Sequence, residues 1–132
     1  MISHFSYKVI ETDLDALNHM NYNRYVVLFS EARLGWLKDV GTSLEDLLTK
    51  QLGTVLLHFD TTYHKECRLG DEIHIETVLT KVGTKSFTMH QQMIRGDELC
   101  AESNATLVVM DLVARKAIPV PQEIAQFKIT NV

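Results

Sequence analysis

Apolar and polar residues alternate at the start of the chain. Over residues 3–10, Phe5, Tyr7 and Val9 fall on one side and Ser6 and Lys8 on the other, the two-residue period of a half-buried strand. Residues 12–22 hold no long apolar run and read as a loop. From about Asn23 the period changes: Tyr25, Leu28, Phe29, Ala32 and Trp36 form the apolar stripe of an amphipathic helix. That helix is predicted to run to about Val40, with Gly41 ending it in a left-handed conformation. Thr42 or Ser43 can then cap a short second helix, SLEDLLTK, whose first turn carries Glu45 and Asp46.

Beyond Gly53 the pattern is that of strands. Residues 54–66 are rich in β-branched and aromatic side chains, and Leu69-Gly70-Asp71-Glu72 is a turn. Three alternating runs follow: 72–82 with Ile73, Ile75, Thr77 and Leu79 in phase; 85–95 with Phe87, Met89, Gln91 and Met93; and 98–110 with Ala101, Ala105, Leu107 and Val109. Glycine turns at Gly83-Thr84 and Gly96-Asp97 join them into an antiparallel meander. The last segment, 111–132, contains Ile118-Pro119 and a short helix, PQEIAQF. The order predicts an α+β fold of two layers, with one long helix burying its stripe against a sheet of about five strands. Strands this long in a small chain leave unpaired edges, which invite pairing with a second copy.

Composition narrows the possible roles. With 132 residues the chain is expected to form a single domain, residues 1–132. A net charge of −4 argues against a wholly basic nucleic-acid-binding surface. No apolar run approaches the ~20 residues needed to span a bilayer. The N-terminus MISHFSYKVIETD lacks the basic and apolar regions of a signal peptide, so the expected location is cytoplasmic. There Cys67 and Cys100 are read as two free thiols. The six histidines show neither HxxxH nor HxH spacing, and no metal is expected. Neither G-x-S-x-G nor a glycine-rich phosphate loop is present.

The chemistry concentrates in residues 13–33, DLDALNHMNYNRYVVLFSEAR. Asp15 lies a few residues ahead of a helix start, where unpaired N–H groups and the helix dipole favour negative charge. A carboxylate beside such an anion-stabilising end is a minimal apparatus for attack on a carbonyl. An aspartate in this position is also a common turn or capping residue. Asp13 reads as a loop-structuring acid, and Tyr25 reads as core as readily as ligand.

The same stretch resembles the D-x-D-x-x-x-H-x-N-x-x-x-Y signature of the 4-hydroxybenzoyl-CoA thioesterase-like branch of the hotdog superfamily. Further along, Y-x-x-x-C-x-L-G-D-E-I-x-I-E-T, KSFTMHQQM, LCAESNATLVVMD and KAIPVP agree with that family in order and spacing, so the resemblance spans about residues 4–121. It implies the hotdog fold, a sheet wrapped around one long central helix. It also implies a homodimer or dimer of dimers and an acyl-CoA substrate, with CoA as part of the substrate and no separate cofactor. The resemblance makes Asp15 the catalytic carboxylate, as general base or nucleophile, and the Tyr22 N–H the group that polarises the thioester carbonyl. His19, Asn21 and Tyr25 become candidates for substrate contact, although His19 and Asn21 can equally serve to order the loop. Lys65, Arg68, Lys85 and Ser86 become candidates for gripping the nucleotide. Relatives often read G-H-V-N-N where this chain has Asn18-His19-Met20-Asn21-Tyr22.

The acyl pocket is expected to be lined by Met20, Leu28, Phe29 and Met89, with Arg24 and Arg33 exposed and no role for Gln91 or Asn104. The other reading is a non-catalytic module that binds acyl-CoA or acyl-carrier protein.

Overall fold

The computed structural model describes residues 1–129. One antiparallel sheet carries the strands β1 (Ser3–Lys8), β2 (Leu52–Tyr63), β3 (Glu72–Val82), β4 (Ser86–Arg95), β5 (Glu98–Asp111) and the three-residue β6 (Lys116–Ile118). Their order is β1-β3-β4-β5-β2, with β6 extending along β5. The meander of β3, β4 and β5 is as predicted, β1 and β2 form the edges, and β6 brings the strand count to six. Register shifts between Leu56 and His58, Leu79 and Lys81, and Met93 and Ile94 are bulges that bend the sheet.

The helices are α1 (Tyr22–Asp39), α2 (Leu44–Thr49) and α3 (Gln122–Ala125). Asn21 caps α1 by accepting the Asn23 N–H at 2.9 Å. Gly41 takes φ 86° just past the end of α1, a conformation that favours glycine. Ser43, rather than Thr42, caps α2: its hydroxyl accepts the Asp46 N–H while the Asp46 carboxylate accepts the Ser43 N–H.

The helix stripe buries as predicted, and it divides the core in two. Tyr25, Leu28, Phe29 and Ala32 pack with Ile73, Ile75, Met93 and Ala101, while Trp36 and Leu37 pack with Leu79, Phe87, Met89 and Ala105. Between these clusters a polar row crosses the sheet. Thr77 pairs with Gln91, Gln91 with Ser103, and Ser103 with Thr61. Gln91 is fully buried, and its amide donates to the Phe29 carbonyl at 2.9 Å and to Thr77 Oγ1 at 3.0 Å. Its Oε1 accepts from Arg33 Nη1 at 3.0 Å. Arg33 is therefore buried, at 8% exposure, contrary to the expectation that it faces solvent. Arg33 follows the stripe position Ala32 on α1, and its hydrogen bond to Gln91 in the polar row of the facing sheet holds the guanidinium inside.

Strand β2 starts two residues earlier than predicted and ends at Tyr63. His64 and Lys65 leave the ladder and both donate N–H groups to the Cys100 carbonyl, and the Cys67 carbonyl then accepts the Met20 N–H at 2.7 Å. The polar run His64-Lys65-Glu66 thus turns under the loop that precedes α1.

Candidate active site

The loop between β1 and α1 is held by Asp13. This carboxylate is 4% exposed and accepts the Ile10 N–H at 2.9 Å, the Tyr7 hydroxyl at 2.8 Å and Arg24 Nε at 2.8 Å. Burial works against its charge, but those three donors outweigh it and hold the carboxyl below the ordinary carboxylate range. Asp13 is thus the loop-structuring acid its position suggested, and Arg24 is committed to it. Asp13→Asn is expected to cost about 2 kcal/mol at neutral pH, the scale of hydrogen bonds to a buried charge. Because the folded carboxyl titrates below its unfolded value of about 4, this stabilisation is complete above that pH and is lost as pH falls through the folded value. Urea unfolding of wild type and variant should therefore diverge at pH 7 and converge as the pH falls through the lowered value of the folded carboxyl.

Past Asp13 the chain makes a tight reversal. Asp15 N–H donates to the His19 carbonyl at 3.1 Å, Asn18 N–H donates to the Asp15 carbonyl at 3.0 Å, and Leu14 bridges Met20. Asn18 takes φ 68°, the left-handed region. This is where relatives often carry glycine. Asparagine is among the few other residues that adopt this conformation readily, so the loop accommodates the departure. Asp15 Oδ1 accepts the Leu17 N–H at 2.9 Å and lies 4.0 Å from His19 Nδ1, and His19 Nδ1 is 3.2 Å from the Met20 carbonyl.

Asp15 and Tyr22 open onto one cavity of about 450 Å³, lined also by His19, Met20, Tyr25, Tyr63, His64, Lys65 and Glu66. Its size suits a small-molecule site. Tyr22 is the first residue of α1 and is 62% exposed. Asn21 satisfies the Asn23 and Arg24 N–H groups, whereas among the described residues the Tyr22 N–H meets no acceptor. The Tyr22 carbonyl accepts the Tyr63 hydroxyl at 3.2 Å.

Tyr25 is buried, and its hydroxyl accepts the Cys67 N–H at 3.1 Å and reaches the Lys65 carbonyl at 3.4 Å. Burial, then the neighbouring Cys67, push the Tyr25 hydroxyl well above the ordinary tyrosine range. Burial likewise pushes the Cys67 thiol up to about 12, and both cysteines are free and buried. Tyr25 thus ties the helix to the strand connection, and its ring meets Tyr63 edge-on at 5.0 Å.

Of the candidate residues, the structure brings Asp15, His19, Tyr22, Tyr25 and Lys65 to one cavity, with Asn21 between them as the helix cap. Lys65 Nζ is paired with Glu98 at 2.6 Å, and Arg68, on the neighbouring rim, with Glu66 at 2.9 Å. Lys85 and Ser86 are not brought there. Ser86 lies at the far end of β4 from Met93, the position level with Tyr63, a separation of about 20 Å along the strand. The expected acyl lining is also corrected: Leu28 and Phe29 are wholly buried core, and Met89 borders a different, smaller cavity beside Arg33. Only Met20 of that set reaches the Asp15 cavity. Tyr63, His64 and Glu66 were not assigned to the site; the signals were the polar run where a strand pattern breaks off and the family-like segment that Tyr63 opens.

Residues 10–127 match the thioesterase-like superfamily, and the chain belongs to that family, by class a thioester hydrolase. It is 25% identical over 123 residues to the acyl-CoA thioester hydrolase YbgC of Escherichia coli, covering 92% of each chain. It is 24% identical to the acyl-CoA thioesterase YbgC of Haemophilus influenzae, covering 91% of this chain and 89% of the other. The fold is that of the hotdog thioesterases. A Staphylococcus aureus protein solved in complex with CoA superposes with a TM-score of 0.90 at 18% identity, over all of this chain and 89% of that one. A 1,4-dihydroxy-2-naphthoyl-CoA thioesterase from Synechocystis superposes with a TM-score of 0.84 at 20% identity, over 93% and 92% of the two chains. The described residues contain no helix long and apolar enough to cross a membrane.

Proposed function

We propose that this protein hydrolyses acyl-CoA thioesters at the cavity between Asp15 and the start of α1. The observation that carries the reading is the pairing, on one cavity, of a loop carboxylate with the Tyr22 N–H, which meets no acceptor among the described residues. That N–H receives the thioester carbonyl oxygen and stabilises the charge that develops on it, helped by the positive end of the helix dipole. Asp15 acts on the carbonyl carbon in one of two ways. As general base it takes a proton from water, whose oxygen bonds to carbon as the C–S bond breaks and CoA leaves as thiolate. As nucleophile its own oxygen bonds to the carbonyl carbon, the C–S bond breaks and CoA leaves as thiolate, and water then cleaves the resulting mixed anhydride. His19 and Asn21 support the reading as groups beside the carboxylate that can contact substrate or order the loop. Tyr25 gives the cavity its floor. Lys65 and Arg68, at the rim, offer cations to the CoA phosphates once they exchange their carboxylate partners. Lys85 and Ser86 can serve the same ligand only from a second copy of the chain.

The helix α1 takes the place of the family's central helix, and the long free edge of β2, with Leu56 and Leu57 exposed at 41% and 59%, is the edge we assign to pairing in a homodimer. The test is a panel of short-chain, long-chain and aromatic acyl-CoA esters assayed with a thiol-trapping dye. Release of one free thiol per acid formed is expected for at least one member. Tight binding of acyl-CoA without thiol release would sink the reading. A single turnover in ¹⁸O-water reads the nucleophile route: an unlabelled first acid with the label left on Asp15 requires an anhydride that water opens at the Asp15 carboxyl carbon, whereas the base route always labels the released acid.

A further inference from the structure

The outer face of the β1–β3 pair gathers residues about seventy positions apart. His4 stands opposite Glu76, and Ser6 opposite His74. His4 Nδ1 lies 2.9 Å from His74 Nε2, and Glu76 Oε2 lies 3.9 Å from each of those nitrogens. We propose that His4, His74 and Glu76 form a surface site for a late first-row divalent cation, with Zn²⁺ as the natural occupant, and that the ion staples the edge strand β1 to β3.

The donor set is two imidazole nitrogens and one carboxylate oxygen, a combination suited to Zn²⁺ and its neighbours rather than to Mg²⁺ or Ca²⁺. Bonds of 2.0–2.2 Å in a tetrahedral arrangement place ligand atoms about 3.3 Å apart, so the histidines need to part, and Glu76 to close, by only about 0.5 Å. The ring planes lie 27° apart with centroids at 4.9 Å, so the two nitrogens already converge. Ser6 Oγ lies 3.5 Å from His74 Nδ1, where it can hold the ring in the tautomer that leaves Nε2 free to bind metal. Among the described residues, Glu76 has no lysine or arginine partner that would compete with a cation.

A hydrogen bond between the facing nitrogens requires one proton between them. Binding moves that proton to the far nitrogen of the donor ring, and both lone pairs then face the ion. His4 and Glu76 side chains are 55% and 34% exposed, which leaves the fourth position to water. Ladder pairing holds all three backbone positions, so the site needs no rearrangement of the chain. No sequence spacing could have disclosed it, because β1 and β3 are separated by both larger helices and β2.

The test uses the full-length protein, stripped with chelator and titrated with ZnCl₂. One Zn²⁺ per chain is expected, with a rise in Tm of about 5 °C at saturating metal. His74→Ala and His4→Ala should each weaken binding at least about 100-fold, beyond what even outer-shell changes commonly cost. His58→Ala, which removes an exposed histidine elsewhere on the surface, should leave it intact. In the unmutated protein, the ring resonances of His4 and His74 should shift with Zn²⁺ while those of His58 stay in place, a readout independent of any variant. No Zn²⁺ binding, or binding that survives both histidine substitutions or leaves the His4 and His74 resonances unmoved, overturns the proposal.

Discussion

Asp15→Asn is expected to reduce kcat for acyl-CoA hydrolysis at least about 100-fold, the lower end of what a positioned base or nucleophile contributes. Thermal unfolding should move by less than about 2 °C, because little stability is lost. The substitution keeps the shape of the side chain, and Asn retains an Oδ1 that can accept the Leu17 N–H now held at 2.9 Å. The loop is anchored by Asp13, not by Asp15, so its path survives. What disappears is the charge and the lone pair needed to take a proton or form a bond. KM should change little, since the cavity walls and the Tyr22 N–H are untouched and the lost interaction belongs to the transition state. Steady-state kinetics beside a thermal melt checks both halves. Near-normal turnover would move the chemistry to another group, and Glu66, the second carboxylate on this cavity, would be the next to test.

The largest stability effect is expected at Gln91. Gln91→Leu should destabilise the protein by about 3–5 kcal/mol, the cost of stranding a buried charge. Leucine would match its apolar neighbours on β4, and alternation alone would favour the opposite sign. The structure explains the difference. The Gln91 amide donates to the Phe29 carbonyl and Thr77, and its oxygen accepts from the Arg33 guanidinium. Burial already disfavours the charged form of Arg33 and lowers its pKa. Removing the acceptor leaves that charge inside the protein with less to hold it. The double variant Arg33→Met, Gln91→Leu removes charge and acceptor together and should be more stable than Gln91→Leu alone. Chemical denaturation of the three proteins forms the test, and a Gln91→Leu protein within about 1 kcal/mol of wild type would show that the row is not a structural unit.

Much of the architecture could be read from the chain because one periodicity governs each element. The stripe from Tyr25 to Trp36 and the phased runs of β3, β4 and β5 each bury the face that alternation predicts. Gly41 and Ser43 sit where capping rules place them. The failures share a cause: long-range pairing. Gln91 is in phase with Phe87, Met89 and Met93, so its burial was legible, but its partner Arg33 lies on another element. Arg33 itself breaks the helical stripe, and only tertiary contact turns it inward. The Asp15 loop was found from local signals, namely an acid before a helix start and a family signature. The other wall of its cavity, Tyr63 to Glu66, comes from the end of a strand; Tyr63 opens a family-like segment, but nothing local to it points to the distant Asp15 loop. Lys85 and Ser86 came from the resemblance alone, and within one chain the sheet holds them far from the loop.

A crystal structure of the Asp15→Asn protein with an acyl-CoA ester that the wild type cleaves tests the assignment of the Asp15 cavity most sharply. The thioester carbonyl oxygen is expected within about 2.7–3.1 Å of the Tyr22 nitrogen, with the substituted side chain facing the carbonyl carbon. A thioester bound with its carbonyl away from the start of α1, or outside the cavity lined by Asp15 and Tyr22, would contradict it.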